Sequence, residues 1–221
     1  MEHTKRSLYL GISTNEKETG IAITENRKVL YELIEETNAH HNETLFTFLD
    51  NAFQSLNLSP NQINGIGVVI GPGMFTSLRI GLACAKGLAV VNNIPIKGFY
   101  TLDALVLSLP QAYLGEKKII IPAIDVRRGE VYFRIYQGTE PISEPMLTKP
   151  EVLAQRITKD SIVLGSGINR YLDLIKNQIK TNFTVHNLTY PIPSAIAFHT
   201  SECILKQDIS DIETLVPFYV R

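Results

Sequence analysis

The segment Gly71-Pro72-Gly73-Met74-Phe75-Thr76-Ser77-Leu78-Arg79-Ile80-Gly81 has the residue types of an anion site. It follows a continuous apolar run and opens a stretch rich in small apolar residues, so it reads as a strand-to-helix junction. Glycines at such a junction allow a tight turn, and a helix N-terminus offers unpaired N–H groups and a positive dipole end. Gly71, Gly73, Thr76 and Ser77 are the candidate ligands for a phosphate or nucleotide, with Arg79 already inside the helix. A plain tight turn with Thr76 as N-cap explains the same residues. The spacing G-x-x-x-x-G-K-[ST] is missing, which excludes a Walker-type nucleotide site. Asp125 is the second candidate: it ends an apolar run and is followed by Arg127-Arg128-Gly129-Glu130. A carboxylate there can serve as a base, and a hairpin turn whose arginines pair with neighbouring acids is the competing account. Cys84 and Cys203 stand far apart with no CxxC or Cys/His spacing, so both read as free thiols and neither as a zinc ligand.

The elements that must position these residues fall into two similar halves. LYLGIST, GIAITEN and KVLYELIEET, separated by turn residues, read as a three-stranded meander. In HHNETLFTFLDNAFQSLNLS the residues Leu45, Phe48, Leu49, Ala52, Phe53 and Leu56 recur at helical spacing before Pro60. INGIGVVIG reads as a strand buried on both faces, and FTSLRIGLACAKGLAVV as a helix. After IPIKGF and TLDALVLSL the order starts again. KKIIIPAIDV, EVYFRIYQ and PISEPMLT read as strands, KPEVLAQRI as a short helix and SIVLGSG as a strand. INRYLDLIKNQI then reads as a helix, FTVHNLT as a strand, and SAIAFHTSECILK as a final helix capped by Ser194. A βββαβα order used twice is similar to the ribonuclease H-like lobes of actin, Hsp70 and the sugar kinases. The fold class expected is therefore α/β, a duplicated ribonuclease H-like (ASKHA) fold, with an N-terminal lobe over 1–100 and a C-terminal lobe over 101–221.

With 221 residues, 44% of them hydrophobic and 19% charged, the composition is that of a globular protein. No apolar stretch reaches membrane-spanning length, and the first residues lack a cleavage site, so the chain reads as cytoplasmic and not membrane-bound. The formal net charge of −1 supplies no general attraction for RNA. In the first helix Phe46 lies off the main apolar stripe. The second helix is apolar nearly all round and carries Gly81, Ala83, Ala85, Gly87 and Ala89, which permit close helix approach. Two such helices can form half of a four-helix bundle with another subunit, or can be covered by the second lobe of the same chain.

The longer string GPGMFTSLRIGLACAKGLA closely resembles the signature of the bacterial TsaB (YeaZ) family. LYLGIST with GIAI, HHNETL, PAIDVRRGEVYFRIY and the closing VPFYVR resemble that family in the same order, so the similarity spans nearly the whole chain. It implies an actin-like fold and a non-catalytic partner of TsaD, which makes N6-threonylcarbamoyladenosine at position 37 of tRNA, with the ATPase TsaE in the same complex. It also implies that the helix over 194–208 joins the N-terminal lobe. The implied docking face lies on the first two helices: His41, Leu45, Phe46, Leu49, Phe53, Arg79, Ile80, Ala83 and Gly87. The implied cofactor status is none for this chain alone, with ATP or ADP left to the interface of the complex. Contact with tRNA is expected through the complex only, and a homodimer of the isolated chain is left open. Two departures fit a silent subunit. Ser13 stands where family members show Asp or Glu, and a serine there holds Mg²⁺ weakly. The HxxxH metal pair of the catalytic paralogue is broken, since His41 would pair with Leu45 and His40 with Thr44. The alternatives are an ATP-dependent phosphotransferase of the sugar-kinase type, which needs the missing acid, and a metallopeptidase, which needs the missing ligands.

Overall fold

The computed structural model describes residues 6–37 and 41–220, with the His41 side chain outside the description. The chain divides into two compact units. One holds the chain up to Thr101 together with Pro191–Tyr219, and the other holds Leu102–Tyr190.

In the first unit, β1 (Leu8–Ser13), β2 (Glu18–Glu25) and β3 (Lys28–Glu36) form an antiparallel meander. Helix α1 (His41–Ser55) leads to β4 (Ile63–Gly71), which lies parallel to β1 with Leu10 opposite Ile66 and Ile12 opposite Val68. Helix α2 (Phe75–Asn92) then leads to β5 (Ile96–Tyr100), parallel to β4. The strand order is β3-β2-β1-β4-β5. Side chains alternate across this sheet as strand geometry requires. Leu8, Leu10 and Ile12 on β1 and Ile66, Val68 and Ile70 on β4 enter one core with Leu45, Leu49 and Ala52 of α1 and Leu82, Ala85 and Ala89 of α2. The opposite face carries glycines, and α6 (Pro193–Leu205) lies on it. A Cβ at Gly11 would stand 2.0 Å from the Pro193 carbonyl oxygen, and one at Gly67 2.0 Å from Thr200 Oγ1. The helix therefore approaches the sheet more closely than any larger residue permits.

The second unit opens with α3 (Thr101–Leu107) and repeats the plan. Strands β6 (Ile119–Arg127), β7 (Glu130–Phe133), β8 (Tyr136–Gln137), β9 (Glu140–Pro141) and β10 (Met146–Thr148) come first. The five-residue α4 (Pro150–Ala154), β11 (Ile162–Leu164), α5 (Ser166–Gln178) and β12 (Thr184–Val185) follow. The main path β10-β7-β6-β11-β12 matches the first sheet position for position. Its core gathers Ile121, Val131, Phe133, Leu153, Val163, Ile168 and Ile175.

Several expectations need correction. The first unit carries a fifth strand, β5, beyond its last βα step, and β12 in the second unit is the strand expected in FTVHNLT, reduced to two residues. EVYFRIYQ is not one strand: it breaks at Arg134 and Ile135, where the Arg134 Nε donates to the Ser143 carbonyl and the Ile135 amide to the Ser143 hydroxyl. PISEPMLT likewise divides into β9 and β10. Ser194 does not cap α6; Pro193 takes the first helical position, Ile192 precedes it, and the Ser194 amide donates to Glu32 Oε1 at 2.8 Å. The residues after α6, 209–219, lie in the first unit rather than with the second lobe.

Candidate functional site

The strand-to-helix loop is filled by the turn that follows β1. The Met74 amide donates to the Asn15 carbonyl at 2.8 Å, and a Cβ on Gly73 would stand 2.1 Å from that same oxygen. The Thr14 hydroxyl donates to the Ser77 carbonyl at 2.8 Å, and the Ser77 hydroxyl donates back to the Met74 carbonyl at 3.1 Å. Of the four residues expected to face an anion, Gly71 and Ser77 are buried, Gly73 packs on Asn15, and Thr76 stands exposed. The N-cap is Met74, in extended conformation and without a capping side chain, so Thr76 as N-cap is corrected. Ser13 is buried and its hydroxyl donates to Asn15 Oδ1 at 3.1 Å, a neutral contact at the position where the resemblance leads one to expect a carboxylate.

Asp125 is held on two sides. Its Oδ1 accepts the Arg127 amide at 3.0 Å and its Oδ2 accepts Arg170 Nη1 at 2.9 Å. The arginines of the hairpin are therefore not its side-chain partners: Arg127 and Arg128 stand exposed at the tip, with φ of 66° and 56° leading into Gly129 at 81°. Among the described residues no group of three His, Cys, Asp or Glu side chains is gathered to hold a metal ion. His40 and the His41 side chain lie outside the described residues. Both cysteines are free, and burial pushes the Cys84 thiol up to about 11.

The expected docking residues separate cleanly by burial. Leu45 is 0% exposed and Leu49 5%, so both belong to the core and their assignment to a surface is corrected. Phe53 and Ile80 are half-buried against that core. Phe46 is 56% exposed, and Arg79, Ala83 and Gly87 are exposed along one flank of α2. These α2 positions recur every three or four residues, so they share a face, and Val90 and Val91 extend it, Val91 at 82% exposure. Gly81 and Gly87 differ in kind. A Cβ at Gly81 would stand 2.2 Å from Thr14 Oγ1, whereas one at Gly87 would meet nothing within 4 Å.

The sequence reading missed what the C-terminal segment contributes. Ser210 pairs with β5, its amide donating to the Ile96 carbonyl and its hydroxyl accepting from the Gly98 amide. Lys86 Nζ donates to the Leu215 carbonyl, and the Phe218 amide donates to the Ile70 carbonyl. Tyr219 then stacks on Phe75 with ring centroids 5.0 Å apart. VPFYVR carries no periodicity, so its signal was the aromatic pair alone.

Two sheets of identical order, each with antiparallel strands on one side and parallel strands on the other, define the duplicated ribonuclease H-like class of actin, Hsp70 and the sugar kinases. Solved structures agree. YeaZ from Pseudomonas aeruginosa superposes with a TM-score of 0.79 at 19% identity, covering 97% of this chain and 100% of that one. The inorganic polyphosphate/ATP-glucomannokinase of Arthrobacter sp. strain KM shares the fold at a TM-score of 0.50 and 14% identity, over 90% and 99% of the two chains. At those identities the likeness speaks for the fold alone. In sequence, the Bacillus subtilis protein named tRNA threonylcarbamoyladenosine biosynthesis protein TsaB is 27% identical over 96% of this chain and 93% of its own. The family model described as TsaD, tRNA N6-adenosine threonylcarbamoyltransferase, matches residues 33–211. The chain belongs to this family, and the Bacillus subtilis relative named TsaB is similar to it over nearly its whole length.

Proposed function

We propose that the chain is a non-catalytic subunit in the synthesis of N6-threonylcarbamoyladenosine on tRNA, docking a TsaD-type transferase through the outer faces of α1 and α2. TsaE joins through that transferase, tRNA is met only by the assembled complex, and ATP or ADP belongs to its interface rather than to this chain alone. The observation that carries the reading is Gly87. It lies exposed in the interior of a long helix, where glycine costs about 1 kcal/mol relative to alanine, and among the described residues no neighbour requires it. A helix of another subunit packed against Ala83 and Gly87 does require it, because only small residues permit close approach there. Val90 and Val91 continue the exposed apolar area along α2, and Phe46 adds exposed apolar area on α1. The contacts already made by Ser13 and Asp125 fit a chain that lends shape rather than reacting groups.

The test places a charge on the face. Phe46→Glu and Ala83→Glu should each abolish co-elution with the transferase while leaving the melting temperature unchanged. Burying an unpaired carboxylate costs several kcal/mol, enough to turn tight association into undetectable association. Full binding by both folded variants would move the docking face elsewhere.

A further inference from the structure

We propose that Arg79 is a specificity residue of this α2 face, fixed by Phe75 and Tyr219 so that its free guanidinium edge takes a carboxylate of the partner subunit. The inference rests on the docking reading above. The Arg79 guanidinium carbon lies 3.8 Å from the Phe75 ring centroid, and Nε donates to the Tyr219 hydroxyl at 3.0 Å. Tyr219 is itself stacked on Phe75, and the strap that delivers it is anchored to β4, β5 and Lys86 through Phe218, Ser210 and Leu215, so α2 and the strap together hold one exposed cation. The Nη groups keep donors in a planar fork that matches a carboxylate. Arg6, Arg27 and Arg170 are answered by Glu25, Glu202 and Asp125, and Arg127 and Arg128 stand exposed at a hairpin tip, whereas Arg79 is held by two aromatic rings. Among the described residues no carboxylate pairs with Arg79.

An exposed arginine ordinarily keeps its rotamer freedom, and one already held in place loses less entropy when it meets an acceptor. Arg79 stands one turn before Ala83 on the same flank. If a partner covers that flank, the guanidinium loses water, and an unanswered buried charge is strongly unfavourable. The partner must therefore bring an acceptor to it. A carboxylate on the helix that packs over Ala83 and Gly87 satisfies both the charge and the fork.

The experiment measures the Kd of the full chain for its TsaD-type transferase at low and high salt, with the melting temperature of each variant. Arg79→Gln should raise Kd by roughly thirtyfold or more and flatten its salt dependence. Arg79→Lys should fall between, since it keeps the charge and loses the fork. Tyr219→Phe keeps the ring stack, removes the bond that aims the guanidinium, and should raise Kd by roughly threefold to tenfold. If Phe46→Glu loses binding while Arg79→Gln keeps the wild-type Kd and salt slope, this inference is overturned and the docking reading stands. If Arg79→Gln lowers the melting temperature and leaves Kd unchanged, Arg79 is only a clamp for the strap, and the inference is equally overturned. Should Arg79→Gln fail to fold, Arg79→Lys and Tyr219→Phe decide by the same salt slope. Full binding by the Phe46→Glu and Ala83→Glu variants removes the docking reading and this inference with it.

Discussion

Gly81 and Gly87 share one helix and answer to different neighbours. Gly81 faces the turn after β1, where Thr14 leaves no room for a methyl group, while Gly87 faces outward. Gly87→Ala should therefore stabilise the isolated chain, by about 0.5–1 kcal/mol from helix propensity. The same methyl group should weaken association with the transferase. Paired measurements of melting temperature and Kd check this: a rise in the first with no change in the second would show that nothing packs on Gly87. The two glycines look alike in the sequence, because helical spacing places them without saying what lies opposite. Leu45 and Leu49 show the complementary limit. Periodicity put them on the apolar stripe, and resemblance put the whole helix at an interface, but only burial separates them from Phe46.

Helix α6 is the element whose placement depends most on residues distant in sequence. It lies on a face made by glycines of β1, β2 and β4, with Gly11 against the Pro193 carbonyl and Gly67 against Thr200. Gly11→Ala should force the first turn of α6 off the sheet and destabilise the chain by about 1–3 kcal/mol, since overpacking a tight contact costs that much. In a domain of this size that is a fall of about 2–4 °C in melting temperature per kcal/mol. An unchanged thermal transition would mean that α6 rests on the sheet less closely than described. The strands and the longer helices were legible because their apolar periodicity is strong and their turns carry Gly, Asn or Pro. Gly11 of LYLGIST and the alternating Gly65 and Gly67 of INGIGVVIG were legible as strand residues but not as a bed for α6, since the partner comes from the far end of the chain. The cap of α6 was misread for a local reason: Pro193 and Ser194 both favour helix starts, and proline at the first position leaves serine inside. The strap over 209–219 was not legible as structure, because beyond one turn around Asp211 its hydrogen bonds go to the edges of β4 and β5 and to Lys86, which are distant in sequence.

The two units share a strand order and differ in what surrounds it, and that difference bears on whether the chain does chemistry alone. An actin-like phosphotransferase needs a carboxylate in the first hairpin to organise Mg²⁺, and a base within reach of its substrate. Here the first hairpin offers Ser13, buried and bonded to Asn15, and the corresponding hairpin of the second unit offers Asp125, whose two oxygens already accept from Arg170 and the Arg127 amide. Converting Asp125 into a base would first require breaking its ion pair. In the loop before α2 the Met74 amide already bonds the Asn15 carbonyl, which lies against Gly73. The isolated chain is therefore expected to show no ATP turnover above the blank, and Asp125→Asn is expected to leave that baseline where it was. Turnover is expected only when the TsaD-type transferase and TsaE are both added, and it should fall with the Phe46→Glu and Ala83→Glu variants because they cannot enter the complex. A steady-state phosphate-release assay on the purified chain, alone and reconstituted, separates the two accounts. Hydrolysis by the chain alone that disappears in Asp125→Asn would overturn the partner reading in favour of a phosphotransferase whose base is Asp125. Hydrolysis that survives in Asp125→Asn and is lost on further purification would instead belong to a contaminant, leaving the docking face as the part of this molecule on which function rests.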